Sequence, residues 1–253
     1  MSGGRRSSYS RAPLAVRASV ALAISLACLL IPAFGDQWAY AHLYRARLYD
    51  LDWAMALRAA GTLYVWLPVA LVIWLVQRQQ DAARAKRRAL LVIGSPVLAG
   101  LLCEVMKLLI RRVRPDVAAG EWVFRAWSDH TFSTAGLATP SSHTMVAFGA
   151  ATMLARLYPR ARWVFYVVAW GCGATRVLSH GHYLSDVTFG ALLGWAVGWG
   201  VWIEWGRRTM EDGRSKTEDR RRKTEDRRRK TGDRRRKHED GRSKMEDGPA
   251  GGA

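Results

Sequence analysis

Thr175-Arg176-Val177-Leu178-Ser179-His180-Gly181-His182-Tyr183-Leu184-Ser185-Asp186 joins two apolar runs, residues 163–179 and 184–205. Each run has the character of a membrane helix, which needs about 20 mostly apolar residues. The junction therefore sets an arginine, two histidines and an aspartate where two spans meet. His182 and Asp186 are four apart and become neighbours on a helix. The expectation is that the Asp186 carboxylate accepts a hydrogen bond from one ring nitrogen of His182. That would fix the tautomer and leave the other nitrogen as a nucleophile. A lone pair of this kind is more often structural. A charged group at the bilayer centre, however, costs roughly 2.5–3.5 kcal/mol, so ionisable residues beside hydrocarbon are functional candidates by default.

Working outward, four more apolar runs lie at 15–34, 59–76, 89–110 and 143–159. The expected fold is all-α: an integral membrane bundle of six transmembrane helices over 15–205, preceded by a short segment 1–14 and followed by a charged tail 206–253. Arginines in the N-terminal segment, basic residues of the 77–88 loop, Arg156, Arg160 and Arg162, and the tail alternate along the chain. By the positive-inside rule these segments and both termini are cytoplasmic, and the loops 35–58, 111–142 and 179–183 face outward. Arg5, Arg6, Arg11 and Arg17 before the first run suggest a secretory signal, but no small-x-small cleavage site follows, which favours an uncleaved helix. Several of the twelve tryptophans, including Trp38, Trp53, Trp163 and Trp205, lie near span ends, as interfacial belts require. Gly190, Gly194 and Gly198 recur every four residues and either offer a smooth face for close helix packing or reflect ordinary glycine content. Cys28, Cys103 and Cys172 fall inside apolar runs and read as small packing residues, not as a disulfide set.

The net charge is +18, and the tail holds 18 of the 39 basic and 11 of the 21 acidic residues. It repeats every seven residues from Lys216, yet it has no apolar seam, so a coiled coil is excluded and disorder is expected. Its basic excess suits anionic lipid headgroups, although a passive solvated tail is the simpler reading. Nucleic acid is not an expected partner, because the tail carries no aromatic residue to stack on bases.

Two further clusters lie at expected span ends on the outward side. Lys107, Arg111 and Arg114 are spaced i, i+4, i+7 and would share a helical face if the helix continued that far. Pro140-Ser141-Ser142-His143 reads as a helix start, whose free amides and positive dipole end suit a phosphate.

Together the three clusters resemble the type 2 phosphatidic acid phosphatase superfamily, whose motifs are K-x6-R-P, P-S-G-H and S-R-x5-H-x3-D. The matching residues are Lys107-x6-Arg114-Pro115, Pro140-Ser141-Ser142-His143 and Thr175-Arg176-x5-His182-x3-Asp186. The resemblance implies a membrane lipid phosphatase that works without metal or other cofactor. His182 would attack phosphorus and carry a phosphohistidine, with Asp186 orienting it. His143 would protonate the leaving oxygen. Lys107, Arg114, Arg176, Ser141 and Ser142 would bind phosphate. Ser142 stands where the family has glycine, Thr175 replaces serine, and His180 reads as an exposed loop histidine. Bacterial members imply an inner-membrane enzyme with its site facing the periplasm. Its substrate would be polyprenyl (undecaprenyl) pyrophosphate, phosphatidate, phosphatidylglycerophosphate or a lipid A phosphate. Vanadium haloperoxidase chemistry is disfavoured by the apolar spans. A non-catalytic lipid-binding or transport protein is disfavoured by the presence of both His182 and Asp186.

Overall fold

In a computed structural model the chain is described at residues 33–206, with Leu30 and residues 224–225. Most of the expected first span, Cys28 and nearly all of the repeat tail lie outside the described residues. The described part is helical, with no strand longer than an isolated bridge. In chain order the helices are α1 (33–42), α2 (Asp52–Ala59), α3 (Leu63–Gln77), α4 (Ala82–Ile110), α5 (Ser142–Leu157), α6 (Arg162–Leu178) and α7 (Leu184–Val201). A final π-helical turn, Trp202–Gly206, continues α7.

Helix α5 is the central element and packs against α4, α6 and α7. Twelve of its sixteen residues are buried, which explains why its sequence reads as weakly amphipathic and small-residue rich. The glycine stripe of α7 is a packing device. A methyl at Gly190 would meet the Ser141 carbonyl at 2.9 Å, and one at Gly198 would meet the Gly149 carbonyl at 2.9 Å. Close backbone approach of this kind needs residues without a side chain. Ser95 of α4 adds a buried hydrogen bond, donating to the Gly149 carbonyl at 2.7 Å.

Helix α4 begins seven residues earlier than its apolar run. Arg84, Lys86, Arg87 and Arg88 are good helix formers, and the Asp81 side chain caps the start by accepting from the Arg84 amide at 3.0 Å. Among the described residues two helices are long and apolar enough to cross a membrane, Ala82–Ile110 and Leu184–Gly206. A third crossing is available if α2 and α3, bent by 73°, act as one broken span. Helices α5 and α6 lie where spans four and five are read, but with 16 and 17 residues they rise only about 24–26 Å. The described helices thus coincide with five of the six expected runs, while the number of crossings rests on fewer long helices than six.

Candidate active site

The C-terminal end of α4, the N-terminus of α5, the C-terminal end of α6 and the N-terminus of α7 meet at one end of the bundle. Their residues are those of the three sequence clusters, but local geometry departs from expectation in four places.

First, α4 stops at Ile110 because Arg111 adopts a left-handed conformation, φ 60°. The shared helical face of Lys107, Arg111 and Arg114 therefore does not form. Arg112 and Val113 then lie between two flanking segments, with bridges Arg112–Phe124 and Val113–Leu137. Arg111 is buried and donates to the carbonyls of Arg125, Ala126, Asp129 and Thr131, so it organises the outer loop. Arg114 is half-buried, with its amide donating to the Gly136 carbonyl at 3.1 Å and its Nε to the Leu137 carbonyl at 3.4 Å.

Second, Asp186 does not hold His182 directly. The His182 Nδ1–H donates to the Ala138 carbonyl at 2.8 Å, whereas the Asp186 carboxylate is 3.9 Å from Nδ1. A bond to a carbonyl requires the proton on Nδ1 and leaves Nε2 with its lone pair, so the expected tautomer arises from a different partner. Asp186 is fully buried and accepts instead from the Thr139 hydroxyl, from the Tyr183 amide at 2.9 Å and from Arg112 at 3.3 Å. It closes a capping box on α7, and its own carbonyl accepts from the Ser141 amide. Asp186 thereby ties the α5 and α7 N-termini together.

Third, the Ser142 hydroxyl is already engaged. It accepts from Lys107 Nζ and from Cys103 Sγ (3.4 Å) and donates to Glu104 Oε1 at 3.1 Å. Two lone pairs and one proton are then all used. Ser141 is buried, accepts from Thr144 Oγ1 at 3.0 Å and makes no side-chain cap. The first i→i+4 bond of α5 runs from the Met145 amide to the Ser141 carbonyl, so the amides of Ser142, His143 and Thr144 are first-turn donors.

Fourth, His180 is not an exposed loop residue. It is half-buried and stacks on Tyr40 (centroids 4.1 Å) and against Tyr44 (4.4 Å), which docks α1 over the site.

Arg176 is buried, donates to the Tyr49 hydroxyl at 2.6 Å and has its Nε without a partner among the described residues. Its backbone carbonyl accepts from the His182 amide at 3.2 Å. Burial pushes the His182 imidazole well below the usual histidine range, and the positive charges of Arg176, Arg114 and Lys107 push it further. The three cations thus act on an imidazole that is neutral. His143, half-buried, is backed by the α2–α3 elbow: a methyl on Gly61 would lie 2.6 Å from His143 Cβ and 2.7 Å from its carbonyl oxygen. Replacing Gly61 with Ala is expected to displace His143 and lower kcat by about 100-fold, since 1 Å misplacements carry effects of that size. Parallel melting curves would separate this loss from unfolding.

Sequence reasoning missed Arg112, Asp36, Tyr49 and Glu104. Arg112 is buried between two buried carboxylates, 2.9 Å from Asp36 and 3.3 Å from Asp186, and its guanidinium lies 3.8 Å from the Tyr183 ring centroid. Asp36 in turn accepts from the Ser185 amide at 2.8 Å and the Ser185 hydroxyl at 2.6 Å. Glu104 was detectable, being an ionisable residue one turn before Lys107 inside an apolar run. Tyr49 and Asp36 carried no comparable signal, because their partners are more than 70 residues away.

A family model described as the PAP2 superfamily matches residues 88–210, which contain all three clusters. The matched stretch, just under half of the chain, is similar to that family. Two curated relatives are similar. A lipid A 1-phosphatase of Rhizobium etli is 40% identical over 128 residues, 46% of this chain and 52% of that protein. A lipid A 1-phosphatase of Rhizobium johnstonii is 40% identical over 123 residues, 44% and 48%. The chain matches about half the length of these relatives. A crystal structure of a transmembrane PAP2-type phosphatidylglycerolphosphate phosphatase from Bacillus subtilis is similar over 75% of this chain and 86% of that one, with TM-score 0.47 and 23% identity. Within the matched residues, Ser142, which stands where the resembled motif has glycine, bonds to Lys107.

Proposed function

We propose that the protein is a membrane lipid phosphatase of the PAP2 superfamily that transfers a phosphoryl group to His182 and then to water. The observation that carries this is the buried, neutral His182, with Nδ1–H fixed on a carbonyl and three basic side chains acting on it. Nε2 attacks phosphorus while Arg176, Arg114, Lys107 and the α5 first-turn amides hold the equatorial oxygens. Fixed donors and cations are what phosphoryl transfer mainly needs. His143 gives its proton to the departing lipid oxygen and takes one from water in the second step. Asp186, 3.9 Å from Nδ1, opposes the positive charge that His182 gains on phosphorylation.

A lipid substrate is supported by the surroundings of this end of the bundle. Phe34, Trp127 and Phe132 are exposed by 87%, 61% and 89%, so the outer loop and α1 present aromatic surface where a headgroup would enter. The relatives make the 1-phosphate of lipid A the first substrate to test. The site would face the periplasm in an inner bacterial membrane with both termini cytoplasmic. The test is phosphate release in detergent with chelator present, from lipid A, phosphatidylglycerophosphate, phosphatidate and polyprenyl pyrophosphate. Release from lipid A alone is the expected result, and release from another lipid would reassign the substrate. No release from any of them by folded protein would overturn the enzyme reading.

The depressed His182 also predicts a pH profile. An imidazole at its ordinary value near 6.5 would lose about tenfold of its free base between pH 7.5 and 5.5. Because His182 lies below that range, kcat/KM, corrected for titration of the phosphate itself, is expected to fall much less across this interval. The burial of neutral His182 contributes stability that is present above pH 6.5 and is lost as pH falls below it.

A further inference from the structure

Lys107 is 5% exposed and has two partners, Glu104 Oε1 at 3.1 Å and the Ser142 hydroxyl. Glu104 is more open, with its side chain 45% exposed, and receives both the Lys107 ammonium and the Ser142 proton. A carboxylate therefore stands on the lysine that the phosphate must reach, and the extra hydroxyl at position 142 links the two. With glycine at 142 that relay would not exist.

Resting on the phosphatase reading above, we propose that Glu104, acting with Ser142, is a positioning residue that weakens the hold of Lys107 on inorganic phosphate and so limits inhibition by the released product. An incoming phosphate must take Lys107 from Glu104, turn the Ser142 proton toward itself and then lie beside a carboxylate. Each change weakens anion binding. A lipid ester offsets that penalty with contacts remote from phosphorus, since binding energy elsewhere on a substrate can be spent at the reacting centre. Inorganic phosphate has no such contacts, so it leaves readily and inhibits weakly.

The test is calorimetric titration of the detergent-solubilised full chain with inorganic phosphate, alongside melting curves and phosphate release from the lipid panel. Glu104→Gln keeps the shape and removes the charge, and is expected to tighten inorganic phosphate binding at least tenfold. Ser142→Gly breaks the relay but leaves the direct 3.1 Å pair, and is expected to tighten it by a smaller factor. A merely structural Glu104 would give weaker or equal binding on substitution. If the wild type releases phosphate from a lipid but folded Glu104→Gln binds inorganic phosphate no more tightly, this inference alone falls. If Glu104→Gln does not fold, Ser142→Gly decides: tighter binding supports the proposal and unchanged binding overturns it. If the wild type neither binds inorganic phosphate nor releases it from any lipid, the phosphatase reading falls and takes this proposal with it.

Discussion

His182→Asn is expected to abolish phosphate release, with a loss of about 10⁴-fold or more, the scale seen when a covalent nucleophile is removed. Asparagine can still donate to the Ala138 carbonyl, so the pocket keeps its hydrogen bond while Nε2 is gone. The cations remain, and the variant is expected to go on binding inorganic phosphate. Rapid quenching of the wild type in alkaline detergent, with lipid labelled in its phosphate, should trap an alkali-stable, acid-labile phosphoenzyme that the variant lacks. A variant retaining more than a hundredth of the wild-type rate would move the nucleophile elsewhere, with His143 the next residue to examine.

The second large effect concerns stability. Arg112→Met is expected to lower the melting temperature in detergent by about 10 °C. The change leaves Asp36 and Asp186, both fully shielded, without their shared cation. Breaking a buried ion pair from one side costs about 3–5 kcal/mol, because the remaining charge is stranded. Adding Asp36→Asn to Arg112→Met should recover part of the loss, since one stranded charge is then removed. An unchanged melting temperature would show that water reaches these carboxylates and that the network is not a support of the site.

Most of the helices were readable because apolar runs are punctuated by charge and proline. The ends of α5 and α6 fall within two residues of the runs 143–159 and 163–179, and α7 together with its terminal π-helical turn covers the run 184–205 to within one residue. The α2–α3 elbow was not readable. Its reason for existing is contact with His143, which belongs to a distant part of the chain. The three clusters were legible as a set of types and spacings, and the structure brings them to one end of the bundle. What spacing could not convey was which acceptor each donor chooses. Ala138 reaches His182 through its peptide carbonyl, a group that every residue carries and no motif records. Arg111 shares a helical period with Lys107 and Arg114 in the sequence, and its left-handed backbone ends the helix there and sends its side chain to the loop instead.

That turn of Arg111 has a consequence for how the outer loop can vary. Its guanidinium grips peptide oxygens at 125, 126, 129 and 131, and a peptide oxygen is the same whatever side chain stands above it. The frame of the loop is thus indifferent to the identity of Phe132, whereas the Trp127 ring, with its centroid 5.4 Å from the Arg111 guanidinium carbon, is part of that frame. On the phosphatase reading, a loop of equal length that keeps Trp127 could be grafted between Arg111 and Pro140 and still close over the same end of the bundle, so that lipid preference and chemistry would evolve on separate residues.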